Sequence, residues 1–169
     1  KLHGTEFEVI PDRIEAATFL AIAAAGRGKL KLEKTNHKHL TCVLDLLTSI
    51  GCDIKTTDDT IEIDAINREL KPFVIETMPY PGFPTDMQPQ IGVALAIAQG
   101  NSIVTESIFD NRFKYVDELA KMGSNIKVEG NTAFIEGVDH LTSANLTAPD
   151  LRAGAALVMA CLAAEGFST

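Results

Sequence analysis

An internal repeat limits the folds open to a chain more than composition does, and this chain carries one. Pro11-Asp12-Arg13-Ile14-Glu15 opens an apolar run to Ala25 that ends at Gly26. Phe83-Pro84-Thr85-Asp86-Met87-Gln88 opens a second, Ile91 to Ala98, ending at Gly100, and Pro149-Asp150-Leu151-Arg152 opens a third, to Ala164, ending at Gly166. Asp12 and Asp86 are 74 residues apart, Asp86 and Asp150 64. Each aspartate stands where a helix N-cap belongs, able to accept from first-turn N–H groups that have no partner within the helix. Asp12 and Glu15 make a capping box, and Pro89 suits a first turn, where a missing N–H costs little. The pattern predicts helices over about 12–25, 86–99 and 150–165. Beyond their first turns they are apolar on almost every side, as in helices surrounded by protein.

The segments between these helices repeat as well. In the first unit, about 7–66, a strand is expected at Phe7 to Ile10 and an alternating strand over 28–33. Leu40, Val43, Leu44 and Leu47 form one stripe of an amphipathic helix ended by Gly51, and 52–55 with 60–64 read as a hairpin about Asp58-Asp59. The second unit, about 73–138, has the same order: a strand at 73–76, one over 101–107, an amphipathic helix from Tyr115 to Met122, and a hairpin about Gly130-Asn131. The third, 144–169, begins with a strand at 144–147 and stops after its first helix, so the chain is expected to be part of a longer protein.

Each strand has one apolar and one charged face. The consistent packing is an inside-out α/β fold of repeated βαβαββ units, with buried parallel helices in the middle and sheets outside. Parallel helices bring their N-termini to one side, each with about half a positive charge, and Arg13 and Arg152 lie in first turns at that face. An anion-attracting face is thus possible on a chain with 15 basic and 23 acidic residues, net −8. That balance disfavours a general nucleic-acid or anionic-membrane binder. The apolar runs, about a dozen residues each, are too short to span a bilayer. Cys42, Cys52 and Cys161 are odd in number and lack metal-ligand spacing, which suits a reducing cytoplasm. Cys42 and Cys161 read as core thiols, and His37 and His39 as solvated residues of a polar turn.

At this point the chain resembles the enolpyruvyl transferase family. The inside-out repeat carries the resemblance, together with Phe83-Pro84-Thr85-Asp86-Met87-Gln88, Asp110-Asn111-Arg112-Phe113, Pro11-Asp12-Arg13-Ile14-Glu15 and Asp150-Leu151-Arg152-Ala153. These strings are similar to the branch of the family that uses UDP-N-acetylglucosamine as acceptor. The shikimate branch has an Asn-Trp-Arg-like string instead, and this chain has no Trp. The resemblance implies two domains closing over a cleft, this chain being most of one. It implies transfer of the enolpyruvyl group of phosphoenolpyruvate to the 3′-hydroxyl of UDP-N-acetylglucosamine with release of phosphate. That reaction is the first committed step of peptidoglycan synthesis in the bacterial cytoplasm, and needs no metal or organic cofactor.

Carried over by position, Asp86 matches the family's aspartate at the reacting hydroxyl, a base that the protonated alcohol requires. Ile108 matches a backbone contact to the sugar nucleotide, Phe109 lines the same pocket, and Arg112, Asp150 and Arg152 match polar residues of the cleft. On residue type alone each has a plainer reading: Arg112 as a surface arginine ending a strand, Asp150 as a cap, Arg152 as a solvated first-turn residue. Asp12 is read as a cap only. The family's reactive cysteine, phosphate-binding lysine and one key arginine match nothing here, so the chain alone is expected to be inactive. A shikimate-branch enzyme and a non-catalytic module of the same fold stay open as alternatives.

Overall fold

The computed structural model describes residues 2–169. Helix α1 (Arg13–Ala25) starts at Asp12, whose carboxylate accepts from the amides of Ile14 and Glu15 at 2.7 and 3.1 Å. It is followed by β1 (Lys29–Glu33), α2 (Thr41–Ser49), β2 (Asp53–Thr56) and β3 (Thr60–Asp64). The second unit runs β4 (Val74–Glu76), a 3₁₀ turn at Thr85–Met87, α3 (Gln88–Ala96), β5 (Asn101–Thr105), a 3₁₀ turn at Arg112–Lys114, α4 (Tyr115–Lys121), β6 (Asn125–Glu129) and β7 (Thr132–Glu136). Helix α5 (Leu151–Ala163) closes the order. Both predicted hairpins form, and the order within each sheet repeats: β1-β3-β2 in one, β4-β5-β7-β6 in the other. The added strand β4 lies parallel to β5, and all other neighbours are antiparallel.

Each sheet buries one face. Ile61 and Ile63 of β3 and Ala133 and Ile135 of β7 are inaccessible, while Lys29, Lys31 and Glu33 point to water. The first sheet packs on α1 and α2, the second on α3 and α4, and α1, α3 and α5 each touch the other two. Their starts converge: Arg152 of α5 reaches Asp86 just before α3, and Gln90 of α3 donates to Thr18 of α1. Their ends converge too, with Ala25, Ile97 and Ala163 lining one cavity. The three helices are therefore parallel, inside the sheets.

Helix α3 is the middle of this arrangement, and all nine of its residues are buried. Gly92 allows the close fit: a Cβ there would lie 2.2 Å from the hydroxyl of Tyr115. Full burial of that phenol pushes its pKa up by desolvation.

Several expectations fail in detail. Phe7 to Ile10 forms no strand; Phe7 and Val9 are 80% and 82% exposed, so the alternation has neither a ladder nor a face to bury. Residues 144–147 form no regular strand either, although Thr142 bridges Glu165 in parallel and Leu146 donates to the Thr169 carbonyl at 2.7 Å. Only α3 is enclosed all round. Phe19 of α1 and Leu151, Val158 and Leu162 of α5 are exposed, because only one side of each helix meets its two partners. His37 and His39 are half-buried on a 3₁₀ turn rather than solvated. Cys42 and Cys161 are half-buried at the helix edges, whereas Cys52 is the core thiol. No helix among the described residues is long and apolar enough to cross a membrane.

Candidate active site

Asp86 does not cap α3. The chain enters this helix through a 3₁₀ turn, where Met87 N–H bonds the Pro84 carbonyl and Gln88 N–H the Thr85 carbonyl. These i→i+3 bonds satisfy the amides that a cap would serve. The Asp86 carboxylate is left free and is held by two arginines. Arg112 Nη2 donates to Oδ1 at 3.0 Å and Arg152 Nη2 to Oδ2 at 2.9 Å.

The two guanidiniums differ in setting. Arg112 is a buried residue rather than a surface arginine. Its Nε donates to Thr85 Oγ1 at 3.3 Å, and its guanidinium carbon lies 4.4 Å from the centre of the Phe109 ring, a cation–π contact. Asn111, in the left-handed region at φ +57°, turns the loop that delivers Arg112; Asn tolerates that conformation better than most residues. Arg152 is about a third exposed and comes from the first turn of α5. Asp150 caps that helix, its Oδ1 accepting from Ala153 N–H at 2.8 Å. Arg13, the other first-turn arginine, lies 4.8 Å over the ring of Tyr80 and makes no contact with Asp86.

Ile108, Phe109 and Arg112 line one cavity of about 580 Å³ that opens between the β5–α4 loop and the Gly130-Asn131 turn. Both apolar side chains are largely exposed on its wall. Asp86 and Arg152 meet this cavity through Arg112. Asp150 stands one step further out, its carboxylate occupied as a cap. The site thus combines a fixed carboxylate, two cations and an apolar-edged cavity, a set suited to holding an anion and accepting a proton beside it. Among the described residues no group of three or more His, Cys, Asp or Glu could hold a metal ion.

Residue-by-residue reading missed Glu106, which is 4% exposed and lines the same cavity. The signal was there. In β5 and its continuation Ser102, Val104 and Glu106 share one parity, and the first two face the core. An acidic residue on the apolar face of a strand needs polar partners.

The profile of the EPSP synthase (3-phosphoshikimate 1-carboxyvinyltransferase) family matches residues 1–169. The chain is 54% identical over 166 residues to UDP-N-acetylglucosamine 1-carboxyvinyltransferase 2 of Caldanaerobacter subterraneus subsp. tengcongensis, covering 98% of this chain and 40% of that protein. It is 50% identical to UDP-N-acetylglucosamine 1-carboxyvinyltransferase of Synechocystis sp., covering 98% and 38%. The enolpyruvyl transferase NikO of Streptomyces tendae superposes with a TM-score of 0.83 at 26% identity over 92% of this chain and 37% of its own. EPSP synthase of Acinetobacter baumannii, at 22% identity and a TM-score of 0.68 over 90% and 40%, shares the fold. The chain spans about 40% of the length of the curated relatives it matches.

Proposed function

Starting from the chain's membership of the EPSP synthase family, we propose that it forms one wall of a cleft. In that cleft the enolpyruvyl group of phosphoenolpyruvate passes to the 3′-hydroxyl of UDP-N-acetylglucosamine. The observation that carries this reading is the Asp86 carboxylate held between Arg112 and Arg152 at the edge of the Ile108–Phe109 cavity.

Asp86 takes the proton of the 3′-hydroxyl as its oxygen bonds to C2 of phosphoenolpyruvate, while C3 takes a proton from an acid on the facing wall of the cleft, giving a tetrahedral adduct. It then assists removal of a proton from the new methyl group as phosphate leaves and the enol ether forms. Arg112 and Arg152 keep the carboxylate aimed, and their remaining N–H donors supply positive charge to an anionic reactant. The Ile108 backbone and the Phe109 ring contact the sugar nucleotide, and Asp150 fixes the turn that presents Arg152. The reaction belongs to peptidoglycan synthesis in the bacterial cytoplasm. A second domain of the same protein closes the cleft and brings the groups that hold the phosphate; orientation of this kind accounts for roughly 7–11 kcal/mol of a barrier.

The test is phosphate release from phosphoenolpyruvate. The full-length protein should release it with UDP-N-acetylglucosamine and not with shikimate 3-phosphate, and this chain alone should release none. Release only with shikimate 3-phosphate would move the protein to the other branch, and release with neither would favour a non-catalytic module.

A further inference from the structure

Glu106 is the most heavily bonded side chain among the described residues, and nothing in the proposed chemistry uses it. Its Oε1 accepts from Thr77 Oγ1 at 2.7 Å and from the amides of Ile108 and Phe109, each at 2.9 Å. Its Oε2 accepts from Thr85 Oγ1 at 2.9 Å. A buried carboxylate is costly unless its lone pairs are filled, and here four donors fill them.

The direction of each bond matters. An ionised carboxylate only accepts, so the Thr85 hydroxyl must give its proton to Glu106. The Thr85 lone pairs then face Arg112, whose Nε–H donates to that same oxygen. A chain of bonds results: Glu106, Thr85, Arg112, Asp86. On its other oxygen the same carboxylate turns the Ile108 and Phe109 amides inward, which sets the wall of the cavity. The loop is held from behind as well, since Glu106 N–H donates to the Asn131 carbonyl at 2.8 Å and Asn131 Nδ2 to the Glu106 carbonyl at 3.1 Å.

We propose that Glu106 is a positioning residue whose two oxygens set the two halves of the site in register: Oε1 places the sugar-nucleotide wall at Ile108–Phe109, and Oε2, through the Thr85 hydroxyl, aims Arg112 and with it the Asp86 base. The proposal rests on the enolpyruvyl transferase reading for its kinetic consequences but not for its structural ones.

The test uses the full-length protein and three conservative variants. Thr85→Val keeps the shape and removes the hydroxyl, whereas Thr85→Ser keeps the hydroxyl and removes the methyl group. Thr85→Val should lower kcat about 10- to 100-fold, the loss expected for a hydrogen bond to a charged group, with KM for UDP-N-acetylglucosamine within about 3-fold of wild type. Thr85→Ser should stay near the wild-type kcat. Glu106→Gln, which puts a donating NH2 in place of one of the two accepting oxygens that serve four donors, should raise that KM and speed hydrogen exchange at the Ile108 and Phe109 amides.

A readout independent of activity accompanies these: exchange of the Arg112 Nε–H proton by NMR, faster in Thr85→Val than in Thr85→Ser or wild type. If the wild type releases no phosphate, the functional reading fails while the two exchange measurements still decide the role of Glu106. Equal kcat losses in both Thr85 variants, or an unaffected Thr85→Val, would overturn the proposal. So would Ile108, Phe109 and Arg112 Nε exchange that none of the variants changes.

Discussion

Asp12 and Asp86 occupy the same place in successive repeats, yet one carboxylate is spent on its own helix and the other is not. Asp12 accepts from two amides of α1, as a cap does. Asp86 sits inside a 3₁₀ turn that satisfies those amides through carbonyls, so its oxygens go to Arg112 and Arg152. One inserted residue separates the strings: Pro11-Asp12 in the first repeat, Pro84-Thr85-Asp86 in the second. Thr85 moves the aspartate one position into the turn and supplies the hydroxyl that holds Arg112. Duplication provided the position, and a local change of backbone freed the side chain for chemistry.

The largest effect that could break this contrast is on turnover. In the full-length protein Asp86→Ala should lower kcat by roughly 10²–10⁴-fold, the range for a general base, and Asp12→Ala should leave it unchanged. Equal kinetic losses would mean that Asp86 acts through the stability of the fold and not as a base. A second contrast concerns packing. Gly92 of α3 corresponds, 74 residues on, to Thr18 of α1, and Tyr115 of α4, where the offset between the repeats is 72, to Val43 of α2. The second repeat traded bulk between facing helices. Gly92→Ala should therefore cost about 1–3 kcal/mol by overpacking against Tyr115, read as a lower denaturation midpoint, while Thr18→Ala should cost less.

Capping comes next. Asp12→Ala and Asp150→Ala should each cost about 1 kcal/mol in denaturant titrations, and Asp86→Ala should lack this capping loss. The smallest effect is chemical. Desolvation pushes the Cys52 thiol up to about 11, so at pH 8 it stays protonated, and iodoacetamide should modify it last of the three cysteines. Early alkylation of Cys52 would show that the first repeat is less tightly packed than described.

Much of the fold was legible because it is periodic. Three similar helix openings and two matching hairpins survive any uncertainty about a single boundary. Phe7 to Ile10 was misread because alternation reports a possible strand, whereas pairing depends on a neighbour and a face to bury. Of the site, Asp86 and Arg112 could be placed by their strings, but the Asp86–Arg152 contact spans two repeats and appears only when α3 and α5 pack side by side. Glu106 could have been found by strand parity. Thr85 could not, since nothing in a threonine's spacing tells which way its hydroxyl points.

The reciprocal clasp between Glu106 and Asn131 has a consequence for spectroscopy. The first repeat keeps only the backbone half, Thr35 N–H to the Asp59 carbonyl at 3.0 Å, and the Asp58 side chain beside it is exposed. A fluorophore attached at position 58 rides on a turn remote from the cavity and reports the tumbling of the domain. The same dye at position 131 replaces one jaw of the clasp on the cavity rim, and its emission follows the loop itself.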